Sequence, residues 1–131
     1  MSYVERLRQT DRLLILGIPP ADELEGASRL LSDGLIVCLG DGEALPDARR
    51  RFAHLDNVMF TLGAVDDIPW RDELFTVALD RLSSWPDTPG AARELWRVLA
   101  PGGALYTPNQ PTGFEPVSPG EFVKPASASA I

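Results

Sequence analysis

The chain has few of the residues on which disulfides, metal sites and general-base catalysis depend. Its 131 residues include one cysteine, Cys38, and one histidine, His54. A single cysteine cannot form an internal disulfide, and neither residue has a second ligand nearby in the sequence with which to hold a metal. We therefore expect no metal site, and we interpret Cys38, inside an apolar run, as a small buried hydrophobe.

Long apolar runs and concentrated positive charge are also missing. No run reaches the length of about 18 residues that crosses a bilayer, and the first residues lack the apolar segment of a secretory signal. The net charge is −7, and no basic stripe offsets it, so phosphate-backbone binding is not expected. The one basic cluster, Arg49–Arg51, is either a solvated helix face or a contact for an anion or a partner. We expect a cytoplasmic protein that binds neither nucleic acids nor membranes.

What the chain does contain is an alternation of apolar runs with amphipathic stretches. Continuous apolar runs are typical of strands buried on both faces of a parallel sheet. Five such runs occur, at residues 13–16, 35–39, 58–62, 74–79 and 104–107. Helical spacing predicts helices over residues 21–32, 43–54 and 89–99, with a further short one over 3–10. This alternation predicts the α/β class, a Rossmann-like three-layer α/β/α sandwich that binds ligands beyond the carboxyl ends of its strands.

Two segments resemble the class I S-adenosylmethionine-dependent methyltransferases, of the type 11-like group that acts on small molecules. The family pattern of Glu, two residues, Arg-Val-Leu, one residue and Pro-Gly-Gly is matched by Glu94, Arg97–Leu99 and Pro101–Gly103. The family's Gly-Asp-Ala, acidic pair, apolar residue and Pro-Phe are approached by residues 63–70. The resemblance implies a mainly parallel five-stranded sheet in the order 3-2-1-4-5, with helices 21–32 and 43–54 on one face and 89–99 on the other.

The resemblance also implies where the cofactor of the family would bind. A Gly-x-Gly-x-Gly loop follows the first strand in the family, whereas residues 17–21 read Gly-Ile-Pro-Pro-Ala and keep only Gly17. Proline removes a backbone donor and fixes φ, and a Cβ hinders the close approach that glycine allows. Asp41 is the candidate for the acid that accepts from the ribose hydroxyls, although counting back from Ala48 places that acid nearer Leu39.

Three further residues complete the predicted cofactor site. The aspartate that receives the adenine amino group in the family is Ala64 here. Val65 could still offer its N–H to the adenine ring, and Asp66 could replace the missing acceptor. Asp80, at the end of the fourth strand, faces the same crevice and is either a functional acid or a cap. Trp70 and Trp85 either line a pocket there or cover the end of the sheet.

The family pattern does not continue beyond Tyr106. Residues 108–131 contain five prolines, which argue against a regular helix or strand. We therefore expect a domain over residues 1–107 and an irregular, Pro-rich extension over 108–131, without the C-terminal antiparallel hairpin of the family. The fifth strand would then be an open edge, and an uncovered apolar edge tends to pair with another chain. This predicts a homodimer through that edge and the tail.

These departures favour a degenerate methyltransferase-like domain that has lost its cofactor and serves as an interaction or regulatory module. An active minimal methyltransferase on a small molecule, with S-adenosylmethionine as its cofactor, is the first alternative. A nucleotide or other small-ligand binder that uses the same crevice is the second.

Overall fold

One seven-stranded sheet forms the centre of the molecule. The computed structural model describes residues 3–82, 88–109 and 111–126. The strands are β1 (Arg12–Leu16), β2 (Leu35–Gly40), β3 (Val58–Leu62), β4 (Phe75–Asp80), β5 (Leu99–Tyr106), β6 (Glu115–Ser118) and β7 (Glu121–Val123). The helices are a short 3₁₀ helix (Tyr3–Arg6), α1 (Ala21–Leu30), α2 (Leu45–Arg51) and α3 (Thr88–Val98). The predicted strands and helices are confirmed, with shifts of a few residues at their ends and with the first helix shortened to one turn.

The strand order is β3-β2-β1-β4-β5-β7-β6. The first five strands pair in parallel in the predicted order. At the start of β5, the register shifts where Leu99 pairs with Phe75 but Ala104 pairs with Val77, so the Pro-Gly-Gly segment bulges out of the ladder. The α/β class and the order of the first five strands are thus confirmed.

Two apolar cores lie on opposite faces of the sheet. On one face, which we call the α1 face, Leu13, Ile15 and Cys38 pack against helices α1 and α2. On the other, which we call the α3 face, Leu14 and Leu16 pack against helix α3. Because side chains alternate along a strand, the continuous apolar runs serve both cores at once. The predicted distribution of the helices between the faces is confirmed.

The absence of a hairpin and the irregularity of the tail were wrong predictions. Strands β6 and β7 form an antiparallel hairpin, and β7 pairs antiparallel with β5. Gly120, at φ +78°, makes the turn between them. Pro116 stands in the outermost strand, where proline is tolerated because a missing donor breaks no central ladder. Proline content therefore did not exclude a strand here; it marked the edge of the sheet.

The hairpin also removes the reason for expecting β5 to be an open edge. Phe122 of β7 lies opposite Leu105 of β5, and both side chains join the core of the α3 face. The homodimer remains a prediction, but the edge of β5 is occupied by the chain itself.

The basic cluster, Arg49–Arg51 of helix α2, lies beside strand β3, the other edge of the sheet. Arg49 donates from Nη2 to the carbonyl oxygen of Phe60 at 3.0 Å. Arg50 and Arg51 pair with Asp47 on the same helix. The cluster is therefore an exposed helix face whose side chains have partners in their own chain. The hydrogen bond from Arg49 also blocks a carbonyl group at the sheet edge, and charged side chains at an edge discourage the addition of another strand.

Candidate functional site

The carboxyl ends of β1, β2 and β4 meet at one edge of the sheet, where ligands bind in folds of this kind. Gly17 follows β1 directly, at φ +105°, a conformation that L side chains rarely adopt. Its N–H donates to the carbonyl oxygen of Leu39 at 2.8 Å. The N–H of Arg81 donates to the carbonyl oxygen of Leu16 at 3.0 Å. These bonds continue the ladder past the strands and bring the loops after β1 and β4 together.

The loop after β4 packs directly against Gly17. A Cβ on Gly17 would lie 3.3 Å from the Cβ of Arg81 and 3.6 Å from Cδ2 of Leu82. The guanidinium of Arg81 forms an ion pair with Glu23 in the first turn of α1. Glu23 also accepts from the hydroxyl of Tyr3 at 3.0 Å. Gly17 is thus required for backbone conformation and for packing, whichever ligand the edge receives.

Between Gly17 and α1, the loop offers few donors to a ligand. Pro19 and Pro20 have no N–H, and α1 begins at Ala21 with Pro20 as its N-cap residue. A cavity of about 560 Å³ opens between this loop and helix α2. Its lining residues are Ile18, Pro19, Pro20, Glu43, Ala44, Asp47, Ala48 and Arg51.

Asp41 lies one residue beyond the end of β2, in the turn that leads to α2. Its Oδ1 accepts from the N–H groups of Glu43 and Ala44, both at 3.0 Å. The last buried side chain of β2 is Leu39, which packs into the core of the α3 face. A Cβ on Gly63 would lie 2.7 Å from Cδ1 of Leu39 and 2.9 Å from Cδ of Pro69, so this end of β2 and β3 is densely packed.

Val65 and Asp66 follow β3 in the loop that crosses to β4. The side chain of Val65 is 4% exposed and belongs to the core, whereas Asp66 is exposed. Ala64 forms an isolated bridge with Asp67, whose N–H donates to the Ala64 carbonyl oxygen at 3.1 Å. The loop is thereby closed on itself at the position where the family places its adenine acceptor.

Asp80 ends β4, as expected, and is 6% exposed. Its Oδ2 accepts from Thr107 Oγ1 and from Asn109 Nδ2, both at 2.8 Å. Its Oδ1 accepts from the N–H of Leu82, also at 2.8 Å. Both carboxylate oxygens therefore accept hydrogen bonds from neighbouring loops. These contacts support the interpretation of Asp80 as a cap. Sequence reasoning did not find Thr107 and Asn109, because they lie beyond the point where the family pattern stopped.

The Glu94 and Arg97 of the family pattern clamp the loop between β3 and β4. Arg97 donates from Nη1 to the Trp70 carbonyl oxygen and from Nη2 to that of Ile68, both at 2.7 Å. Glu94 Oε1 accepts from the N–H of Ile68 at 2.8 Å and from Arg97. The hydrogen bonds from Arg97 hold the pKa of the Glu94 carboxyl below its ordinary value. The pair fixes the shape of the loop that carries Val65 and Asp66.

Three other candidates, Trp70, Cys38 and His54, lie away from the loops of this edge. Trp70 packs edge-on to Phe75, with ring centres 6.2 Å apart, against the core of the α3 face. Burial raises the pKa of the Cys38 thiol to about 12, which is consistent with a structural role. His54 lies on the exposed surface, with Nε2 3.4 Å from Glu25. Trp85 lies outside the described residues.

Neither a metal-binding cluster nor a membrane-spanning helix is found in the parts of the chain that the structure covers. Residues 3–82, 88–109 and 111–126 contain no cluster of three or more side chains suited to hold a metal ion. Within the same ranges, no helix has the length and apolar character needed to cross a bilayer.

A family model described as a methyltransferase domain matches residues 27–107, which is more than half of the chain. The chain belongs to the class I S-adenosylmethionine-dependent methyltransferase family. The matched region runs from α1 to the end of β5 and includes the Glu94–Arg97 clamp. No curated protein matches this methyltransferase domain.

Solved structures with the same fold, several of them described as methyltransferases, match at low sequence identity. The YcgJ protein of Bacillus subtilis is 20% identical, with a TM-score of 0.68 over 80% of this chain and 47% of that protein. A methyltransferase from Aquifex aeolicus is 19% identical, with a TM-score of 0.71 over 77% of this chain and 57% of that one. A Methanococcus maripaludis protein described as a putative methyltransferase is 23% identical, with a TM-score of 0.68 and coverages of 80% and 52%. The chain thus spans about half the length of these structures.

Proposed function

We propose that this methyltransferase-like domain is a non-catalytic interaction or regulatory module whose S-adenosylmethionine loop is degenerate. The observation that carries the proposal is the loop from Gly17 to α1, which supplies one glycine and includes two residues without an N–H. In the family, this loop lies against the cofactor with its backbone exposed. Proline at positions 19 and 20 removes donors at the place where close approach and hydrogen bonding are both needed.

The acidic residues of the edge support the same proposal. Asp41 accepts from the turn before α2, and Asp80 accepts from three donors of its own chain. A ligand hydroxyl or amine would have to compete with these partners. Asp66 is exposed on a loop that Ala64 and Asp67 close. The residues present therefore do not fit the cofactor in the manner of the family, and we derive no methyl-transfer step.

The expected loss of affinity can be placed on a scale. A neutral hydrogen bond contributes about 0.5–1.5 kcal/mol and one to a charged acceptor about 1.5–3 kcal/mol. Loss of the adenine acceptor and of two loop glycines would then cost roughly 3–6 kcal/mol. Because about 1.4 kcal/mol corresponds to a factor of ten, a micromolar site would become millimolar or weaker.

The experiment that tests the proposal compares the natural loop with a restored one. The triple variant Pro19→Gly, Ala21→Gly, Ala64→Asp should bind S-adenosylmethionine more tightly than the natural chain. The single variant Gly26→Ala, inside α1 and with nothing within 4 Å of the added Cβ, serves as the control. If the natural chain already binds the cofactor with a micromolar dissociation constant, the loop is not degenerate in function and an active minimal methyltransferase is the better account.

The cavity beside the loop favours one second candidate, a binder of nucleotides or other small ligands. Its volume of about 560 Å³ lies within the range of about 300–1,000 Å³ typical of ligand pockets. Its walls are apolar at Ile18, Pro19 and Ala48, and charged at Glu43 and Arg51. A thermal-shift series with adenosine, S-adenosylhomocysteine and nucleoside phosphates separates this candidate from the first, which predicts no shift with any of them.

A further inference from the structure

The two halves of the sheet are not covered equally on the α1 face. Helices α1 and α2 cover strands β1 to β4 there, with Tyr3 from the 3₁₀ helix beside them. On strands β5 and β7 the same face presents Ala104, Tyr106, Val123 and Glu121. The 3₁₀ helix covers part of this surface, where the Tyr3 ring lies 6.0 Å from that of Tyr106 and Arg6 pairs with Glu121. We call these four residues the open trough.

Two cavities lie along the open trough, and they show that its floor is accessible. One, of about 380 Å³, is bordered by Arg6, Arg8 and the start of β5; the other, of about 300 Å³, lies towards the hairpin turn. Both include Arg6, Tyr106 and Glu121 in their lining. Arg6 and Glu121 are themselves paired at 2.6 Å, so the floor of the trough is already neutralised.

The two sides of the open trough carry opposite charges. Arg8, two residues after the 3₁₀ helix, borders the larger cavity, whose lining also includes Ala104. Glu115 of β6 lies on the far side, since it pairs with Val123, which in turn pairs with Ala104. Strands lie about 4.8 Å apart, so two strand spacings put Glu115 roughly 10 Å from Ala104. Within residues 3–82, 88–109 and 111–126, neither the Arg8 guanidinium nor the Glu115 carboxylate has a hydrogen-bond or ion-pair partner.

We propose that the open trough is covered by a second copy of this chain in a two-fold dimer, with Arg8 of each copy against Glu115 of the other. A surface with a free positive group on one side and a free negative group on the other is complementary to itself when it is rotated by 180°. Tyr106, Ala104 and Val123, each only partly buried in one copy, become the apolar centre of the contact. The dimer thus uses the face of β5 and β7, and not the strand edge that sequence reasoning indicated.

The experiment is a charge exchange followed by sedimentation of the full chain at tens of micromolar. Arg8→Glu and Glu115→Arg should each weaken the dimer by roughly tenfold, and the double variant should restore it to within about threefold of the natural chain. Glu115→Arg lowers the net negative charge from −7 to −5, so general repulsion cannot explain a weaker dimer. Arg50→Glu, on an exposed pair of α2, gives the same net charge as Arg8→Glu and should leave the dimer unchanged apart from that charge effect.

Each outcome decides the proposal. Weakening by both single changes and recovery in the double variant support it. A chain that is monomeric throughout this concentration range overturns it, because then the open trough either stays exposed or binds something other than a second copy. A dimer that survives both single reversals also overturns it, because another surface must hold that dimer together.

Discussion

The ammonium of Lys124 lies 5.0 Å from the centre of the Trp96 ring and donates to the Trp96 carbonyl oxygen at 2.8 Å. The ammonium also donates to the carbonyl oxygen of Leu99, again at 2.8 Å. Lys124 follows β7 directly, and Trp96 belongs to the last turn of α3, where carbonyl groups have no partner within the helix. Lys124 therefore caps the C-terminal end of helix α3. Its positive charge lies at the negative end of the helix dipole.

From this contact we predict that Lys124→Met destabilises the whole domain. Lys124 is 6% exposed, so one buried and one partly buried carbonyl group would lose their donor while the methionine still filled the space. The expected loss in the free energy of unfolding is about 2 kcal/mol. Urea unfolding followed by tryptophan fluorescence measures it. Arg50→Met, on an exposed pair, should change the same quantity by less than about 0.5 kcal/mol; equal effects of the two changes would show that Lys124 has no structural role.

The Glu94–Arg97 clamp predicts a pH dependence of stability. The pKa of Glu94 is lower in the folded chain than its ordinary value of 4.5. The ionised carboxylate therefore stabilises the fold above the ordinary value, and this contribution is lost as pH falls through the lower, folded-state pKa. Glu94→Gln should be less stable than the natural chain near neutral pH, and the difference should shrink in acid. Urea unfolding of both chains, near neutral pH and in acid, measures the difference in stability. A difference that does not change with pH would contradict a lowered pKa of Glu94.

Gly17 and Gly26 offer a matched pair of substitutions. Gly17→Ala places a Cβ at φ +105°, within 3.3 Å of Arg81, and should cost about 1–3 kcal/mol in the free energy of unfolding. Gly26 lies inside α1 with nothing within 4 Å of an added Cβ. Gly26→Ala should therefore raise the free energy of unfolding by about 0.5–1 kcal/mol. Thermal and urea unfolding of both variants decide the matter. If Gly17→Ala is neutral, the conformation assigned to the loop is wrong.

The fold of residues 12–106 was predictable because each strand contains an apolar run and the spacing of apolar residues changes to that of a helix between these runs. The tail was not predictable by that rule. Strand β7 has only three residues, and β6 includes Pro116 with every position exposed, so neither carries an apolar run. Their pairing depends on Gly120 and on the fit of Phe122 under α3, which are tertiary features.

The candidate site was predictable in place but not in detail. The resemblance placed Gly17, Asp41, Val65, Asp66 and Asp80 at the carboxyl edge, and all five lie in the loops or strand ends there. Their partners were hidden from sequence reasoning. The contacts of Asp80 with Thr107 and Asn109 join residues 27 and 29 positions apart, and no local pattern indicates such a distance.

Calorimetric titration of S-adenosylmethionine into the purified full chain tests the central claim most directly. A loop with one glycine and two prolines, beside acids already engaged by their own chain, predicts a dissociation constant weaker than roughly 0.1 mM. S-adenosylhomocysteine, which shares the adenine and ribose, should bind no more tightly. A micromolar dissociation constant for either compound would contradict the account and would assign Gly17, Asp41 and Val65 to a working cofactor site.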